Sequence, residues 1–339
     1  MTRFLLELSG ENPALAEAEA IAASEALGGR ADPGRAEVTI PWIGIDLPEQ
    51  GRAIDLAKRV ALTRRVLVLW EGPDPERALA QWAKEAGSGP TSASFRAVAL
   101  VGSAPLPGDL DRWVDAWSAA GGTIDLDRPS HRIHFGRWSD GSPWIAQAVE
   151  GTDRGAFRSR RMPSLPFQRP VALPPKLARV AVNLARVRLG DRVLDPFLGT
   201  GALLAEAGLL GASLVGIDRD PEMVRGALRN FRHLGVEGER LLVGDAGQLA
   251  ERESSPPFDA LVTDPPYGRA SALFGERAEA LVARVVSAWA PRVREGGRVV
   301  LVVPGGPDPL PPPWVRRLSL ADRVHRSLTR EFRVYERAP

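Results

Sequence analysis

The sequence predicts an α/β protein in two halves: a C-terminal, mostly parallel, doubly wound sheet preceded by a mixed α+β region. Three observations carry that prediction. Short apolar runs recur from Arg192 onward, helix-forming sequence alternates with them, and four of the runs lead into an aspartate, at Asp195, Asp218, Asp245 and Asp264. Open α/β sheets bind ligands in the crevice beyond the carboxyl ends of their strands, so these strand ends are where a site is expected.

In the first half, residues 4–8 read as a strand, and Asn12-Pro13 opens a helix over 14–27 that Gly28-Gly29 ends. A second strand is expected over 37–40. Helices follow over 54–62, 75–86 and 109–119, with strands over 66–70, 94–101, 123–126 and 132–135. Gly-, Pro- and Arg-rich sequence over 151–175 reads as a linker. The division expected is residues 1–52, 53–150, a basic linker over 151–174, and 175–339.

At 339 residues the chain is too long for one ordinary α/β domain. No apolar run is long enough for a transmembrane helix and no charged-then-apolar leader opens the chain, so a soluble, cytoplasmic protein is expected, without membrane partners and monomeric. The absence of cysteine excludes disulfides, thiolate metal sites and cysteine nucleophiles. His131 and His134 have a spacing that invites a metal reading, but strand alternation turns them to opposite faces, and no metal is expected. Net charge is only +2, yet ten basic residues stand against two acidic ones between Thr152 and Arg192. Arginine abundance is a compositional bias of this chain; the clustering points to an anionic partner near the joint.

In the second half, the run ending at Asp195 continues as Pro196-Phe197-Leu198-Gly199-Thr200-Gly201, and a helix is expected from Ala202. Glycines where a strand becomes a helix let the backbone approach a ligand closely. A phosphate ligand fails on chemistry, because Asp195 faces it and no Lys-Ser/Thr pair follows Gly201. An acidic loop suits a cation. Asp218 follows about 20 residues on, where a Rossmann-type unit places its ribose-binding acid. Residues 241–243 lead into Gly244-Asp245-Ala246, and 258–263 deliver Asp264-Pro265-Pro266-Tyr267-Gly268.

That last loop has the chemistry of an amine site. An exocyclic amine on a nucleobase is a poor nucleophile because its lone pair is delocalised into the ring. A carboxylate (Asp264) and a backbone carbonyl (Pro265) accepting its two N–H bonds pull the nitrogen toward pyramidal geometry. Pro265 and Pro266 stiffen the backbone, and Tyr267 is placed to stack on a base rotated into the pocket. A plain turn of Asp, Pro and Gly is the competing reading.

The ordered aspartates resemble those of class I S-adenosylmethionine-dependent methyltransferases. That resemblance implies that Asp195, Pro196, Phe197, Gly199, Thr200 and Gly201 cradle the methionine part of the cofactor, that Asp218 takes the ribose hydroxyls, and that Asp245 with Ala246 reads the adenine. The opening Phe4-Leu5-Leu6-Glu7-Leu8 through Glu19, the stretch from Leu56 to Thr63, the segment from Arg169 to Arg179, and the ending from His325 to Arg330 resemble archaeal THUMP-domain tRNA (guanine-N2)-methyltransferases, nearest to those acting on guanosine 10. The implied arrangement is a ferredoxin-like domain over 1–52, a THUMP-type RNA-binding domain over 53–150 and a methyltransferase domain over 175–339. Implied tRNA contacts are Lys58, Arg59, Arg64 and Arg65 in the THUMP region and Arg158, Arg160, Arg161 and Arg169 in the linker. The chain departs from the pattern at Leu198, where many members carry cysteine, and at Val171 and Pro174, which replace glycine and serine. A guanosine-6 enzyme and a DNA adenine or cytosine amino-methyltransferase are the alternatives, and the number of methyl groups and the need for a small activator subunit stay open.

Overall fold

The protein is described by a computed structural model covering residues 2–31, 42–49, 52–72, 74–86, 91–98, 105–149, 154–161, 164–170, 172–252, 254, 256–266, 277–325 and 328–337. The chain forms two compact units, Met1–Lys58 with Leu62–Thr152, and Arg59–Ala61 with Asp153–Pro339.

The first unit contains β1 (Thr2–Leu8), α1 (Pro13–Ala26), β2 (Arg30–Ala31), β3 (Trp42–Leu47), α2 (Arg52–Arg59), β4 (Thr63–Glu71), α3 (Pro75–Ala86), β5 (Ser92–Ala97), α4 (Asp109–Ala119), β6 (Thr123–Ile124), β7 (His131–Arg137) and β8 (Pro143–Ala148). Asn12 caps α1, its side chain accepting the Leu15 N–H at 3.3 Å, and Pro13 starts the helix where its missing N–H is harmless. One eight-stranded sheet runs β2-β3-β1-β4-β8-β7-β5-β6. β1 pairs antiparallel with both β3 and β4, so the boundary expected at residue 52 runs through a continuous sheet. The strand expected over 37–40 lies outside the described residues. β3 and β8 were not anticipated.

Large aromatics fill this core, with Trp82, Trp113, Trp117 and Trp144 all buried. His131 lies edge-on to Trp82 and Trp117, at 5.1 and 5.8 Å between ring centres. Burial holds the His131 imidazole below its usual range and pushes His134 down to about 4. Both histidines are packing groups, neutral at physiological pH.

The second unit contains α5 (Arg154–Ser159), α6 (Pro175–Leu184), β9 (Arg192–Asp195), α7 (Ala202–Gly208), β10 (Ser213–Asp218), α8 (Pro221–Leu234), β11 (Glu239–Val243), α9 (Ala246–Arg252), β12 (Phe258–Thr263), α10 (Ala278–Trp289), β13 (Val293–Val303), β14 (Trp314–His325) and β15 (Leu328–Arg337). Its sheet runs β11-β10-β9-β12-β13-β15-β14. The first five strands are parallel, as expected, and the terminal hairpin β14–β15 adds antiparallel to β13. This is a doubly wound α/β sheet. Chain order reverses at β9, which pairs with β10 on one side and β12 on the other. Such a reversal splays the connecting loops and opens the ligand crevice of this fold.

The stretch expected as a linker is built into the second unit. The Phe167 N–H donates to Asn230 Oδ1, and Asn230 Nδ2 donates to the carbonyls of Phe167 and Thr200, each at 3.0 Å. The Phe167 ring packs over Gly226, where an added Cβ would sit 2.1 Å from it. Beneath, Glu206 on α7 is 1% exposed and holds Arg160 at 2.7 Å and Arg179 at 2.8 Å. Removing one member of a buried ion group strands the others without a counter-charge. Glu206→Ala should therefore cost about 3–5 kcal/mol of stability, read from the urea midpoint, and an unchanged midpoint would show the arginines to be hydrated.

Candidate functional site

Residues at the carboxyl ends of β9, β10 and β12 build one acidic rim. Asp195 closes β9 and is 1% exposed. Its Oδ1 accepts the Phe197 N–H at 3.0 Å and the Thr263 hydroxyl at 2.6 Å. Thr263 is the last residue of β12, so this bond ties together the two strands that flank the chain reversal. Gly199 and Gly201 have φ of +53° and +81°, the left-handed region where glycine is favoured. At Gly201 a Cβ would also sit 2.7 Å from the Phe231 ring. The loop can turn this tightly into α7 only as the sequence has it.

Asp218 closes β10. Its Oδ2 accepts the Gly199 N–H at 2.8 Å and its Oδ1 the Asp220 N–H at 2.9 Å. The Arg219 N–H is directed at it as well, and since a carboxylate has about four acceptor sites, roughly one stays available for a hydroxyl donor. Asp245 precedes α9, accepts the Gln248 N–H at 3.1 Å and pairs with both terminal nitrogens of Arg284 at 3.0 and 3.2 Å. The Arg284 guanidinium holds its carboxyl below the usual range. Asp245 is thus a capped and paired anion before any ligand arrives, a role its sequence position did not reveal. Ala246, the first residue of α9, is buried beside it.

Asp264 leads out of β12, followed by buried Pro265 and half-buried Pro266. Its Oδ1 is shut off from solvent and takes no hydrogen bond among the described residues. Burial pushes both Asp264 and Asp195 up to about 7. Burial raises Asp218 as well, and the charges of Asp264 and Asp218 further raise Asp195, which shows how closely the three acids crowd the rim. Crowded carboxylates with an unsatisfied acceptor fit a cationic ligand and an N–H donor. Tyr267 and Gly268 lie outside the described residues.

A cavity of about 390 Å³ opens beside Thr200, with Phe167, Leu173, Pro174, Ala202 and Ala205 among its lining residues. Pro174, one of the departures noted in the sequence, forms part of this wall and accepts the Leu177 and Ala178 N–H bonds that start α6. Val171 lies outside the described residues.

The basic positions divide by their surroundings. Lys58, Arg64, Arg158 and Arg161 are exposed. Arg59 is 4% exposed, with its guanidinium donating to the Val187 carbonyl, so it does not face solvent. Arg65 pairs with Glu7, Arg160 with buried Glu206, and Arg169 with Glu222 at 2.8 Å. Burial or intrachain pairing thus sets Arg59 and Arg160 apart from the expected RNA contacts. Sequence reasoning missed Thr263, Asn230 and Arg284, which hold the rim from behind. Thr263 reads as an ordinary strand residue, and the partners of the other two lie far away in sequence.

Residues 163–310 match the UPF0020 family, described as an RMKL-like methyltransferase domain. The chain is 41% identical over 185 residues to the tRNA (guanine(10)-N2)-dimethyltransferase of Methanothermobacter thermautotrophicus, covering 53% of this chain and 54% of that protein. It is 35% identical over 219 residues to the enzyme of the same name from Pyrococcus abyssi, covering 63% of this chain and 64% of that protein. The matches therefore span between about half and two-thirds of these curated relatives. The crystal structure of TrmN from Thermus thermophilus aligns over 99% of this chain and 100% of its own, at 21% identity and a TM-score of 0.49. The similarity to the two archaeal tRNA (guanine(10)-N2)-dimethyltransferases covers 53% and 63% of the chain.

Asp195 and Asp264 take up protons on folding, because each is raised from an unfolded value of 3.8 to about 7. The stability they contribute is complete at low pH and is lost as pH climbs toward 7. The urea midpoint of the ligand-free protein should fall across that interval, and less so in Asp195→Asn. A flat profile in the parent protein would show that the rim is hydrated and its acids unshifted.

Proposed function

We propose that the chain transfers a methyl group from S-adenosylmethionine to the exocyclic N2 amine of a guanosine in tRNA, at position 10, giving a mono- or dimethylated product. The observation that carries this reading is the buried, unbonded Oδ1 of Asp264 at the rim shared with Asp195 and Asp218. A site that leaves a desolvated acceptor open is built for a donor that comes and goes. The names of the archaeal relatives, tRNA (guanine(10)-N2)-dimethyltransferases, support the substrate.

When bound, S-adenosylmethionine supplies an electrophilic methyl group next to a positive sulfur. The chain's residues do the rest. Asp195, Asp218 and the turn at Gly199–Gly201 offer the cation an acidic, close-fitting cradle, with the remaining acceptor site of Asp218 available to a ribose hydroxyl. Asp245 and Ala246 border the adenine, with Arg284 fixing the carboxylate. Asp264 and the Pro265 carbonyl accept the two amine N–H bonds, turning the lone pair toward the methyl group and stabilising charge as it develops on nitrogen. Asp264 needs no strong basicity, because the proton becomes acidic only once the new N–C bond forms. In this reading Tyr267 stacks on the base, the exposed Lys58, Arg64, Arg158 and Arg161 meet the tRNA backbone, and the first unit acts as a ruler that selects one guanosine.

Nucleoside mass spectrometry on a tRNA transcript incubated with the full chain tests the product directly; methylation of a ring carbon or ribose, or none at all, would refute the reading. Asp264→Ala should slow transfer by about 10²–10³, with Asp264→Asn intermediate, since preorganised polar groups contribute on that scale. Because Asp264 is pushed up to about 7, transfer should also rise as pH is brought from below that value to above it. Asp218→Ala should weaken cofactor binding by about tenfold or more, each bond to a charged acceptor being worth roughly 1.5–3 kcal/mol. Titration calorimetry showing unchanged affinity would remove Asp218 from the cofactor site.

A further inference from the structure

Arg330, on β15, is 7% exposed, yet its Nε and Nη1 donate no hydrogen bond among the described residues. It forms an ion pair with Asp322, its register partner on β14, whose Oδ2 lies 3.8 Å from Nε, too far for a hydrogen bond. A buried guanidinium with open donors is costly to maintain and calls for a partner that arrives from outside. Its location says what that partner is. Val262 pairs with Val300, Val300 with Val334 and Val302 with Phe332, so alternation puts Asp264 and Arg330 on the same face of the sheet. Both lie at the rim where β12 and β13 end, two strands apart, a separation of roughly 10 Å that a base and an arginine side chain can span. Arg330 also acts electrostatically on Asp264, which places their charged ends in one site. An open carboxylate acceptor and an open guanidinium donor thus face the same space.

We infer that Arg330 is a specificity residue that donates to the O6 carbonyl of the base whose amine Asp264 holds. This rests on the function proposed above. Guanine offers amine hydrogens at position 2 and an acceptor at position 6, the complement of Asp264 and Arg330. Adenine carries an amine at position 6, where a fixed guanidinium would meet a donor with a donor. Arg330 therefore selects guanine as well as orienting it, its rigid planar guanidinium fixing the donor direction where the flexible, strongly hydrated ammonium of a lysine would not.

The test uses the full chain, with tRNA transcripts carrying either guanosine or 2-aminopurine, which keeps the amine and lacks O6, at the target position. Wild-type kcat/KM should fall roughly ten- to a hundredfold on the 2-aminopurine transcript. Arg330→Gln and Arg330→Lys should show a similar loss on guanosine and almost no further loss on 2-aminopurine, while their calorimetric affinity for S-adenosylmethionine stays at the wild-type value. That unchanged affinity also reports that the second unit is folded. Variants that match wild type on guanosine, or that still discriminate between the two bases as wild type does, would overturn the inference while leaving the proposed activity intact. A lysine variant with full activity would overturn it too, since charge alone would then suffice. Failure of the wild-type chain to methylate guanine N2 would instead remove the reading on which the inference stands.

Discussion

The hydrogen bond from the Thr263 hydroxyl to Asp195 Oδ1, 2.6 Å long and buried, is the contact on which the rest of the rim depends. It closes the gap between β9 and β12, the adjacent strands whose connections leave in opposite directions. With Leu194 opposite Leu261 in the ladder, the last residues of the two strands come together. The glycine turn after β9 and the proline loop after β12 thereby become two walls of one crevice. Without that register, the aspartates would be separate strand-end residues with ordinary solvation.

Holding the acids there is unfavourable in the ligand-free protein. Asp195 and Asp264 are both pushed up to about 7 by burial, and neighbouring charge adds to the effect at Asp195. The fold tolerates this because each acid is braced locally: Asp195 by Thr263 and the Phe197 N–H, Asp218 by Gly199 and Asp220, Asp245 by Arg284. Of these four acids, Asp264 is the one with a buried oxygen that takes no hydrogen bond among the described residues. The strain is concentrated at the one position where the proposed chemistry uses it, as expected when a site is preorganised for a charge that develops later.

The support behind the rim is a second layer that touches no proposed reacting group. Asn230 fastens Phe167 and Thr200 to α8, and Glu206 gathers Arg160 and Arg179. Together they hold the segment before α6 against the back of the glycine loop. Arg160, a basic residue in a basic stretch, is a structural counter-ion as a result, and the anion-binding potential of that stretch narrows to exposed positions such as Arg158 and Arg161.

The sequence by itself determined the parallel α/β second half, the four strand-end aspartates and the helices over 75–86 and 109–119, because these depend on period, turn chemistry and nearest neighbours. It also pointed to the positions of the rim, since strand ends are marked locally by glycine, proline and aspartate. Only the tertiary structure decided that β1 to β8 share one sheet across the boundary expected at residue 52, because strand pairing between β1 and β4 joins residues some sixty positions apart. It likewise decided that Arg59 is buried, that Asp245 is paired, and that the strand register puts Arg330 on the same face of the sheet as Asp264, the basis of the role inferred for it. Charge and residue type are written in the sequence. Which partner a charge meets is set by long-range register, and in this protein that separates an arginine that braces the fold from one that faces the site.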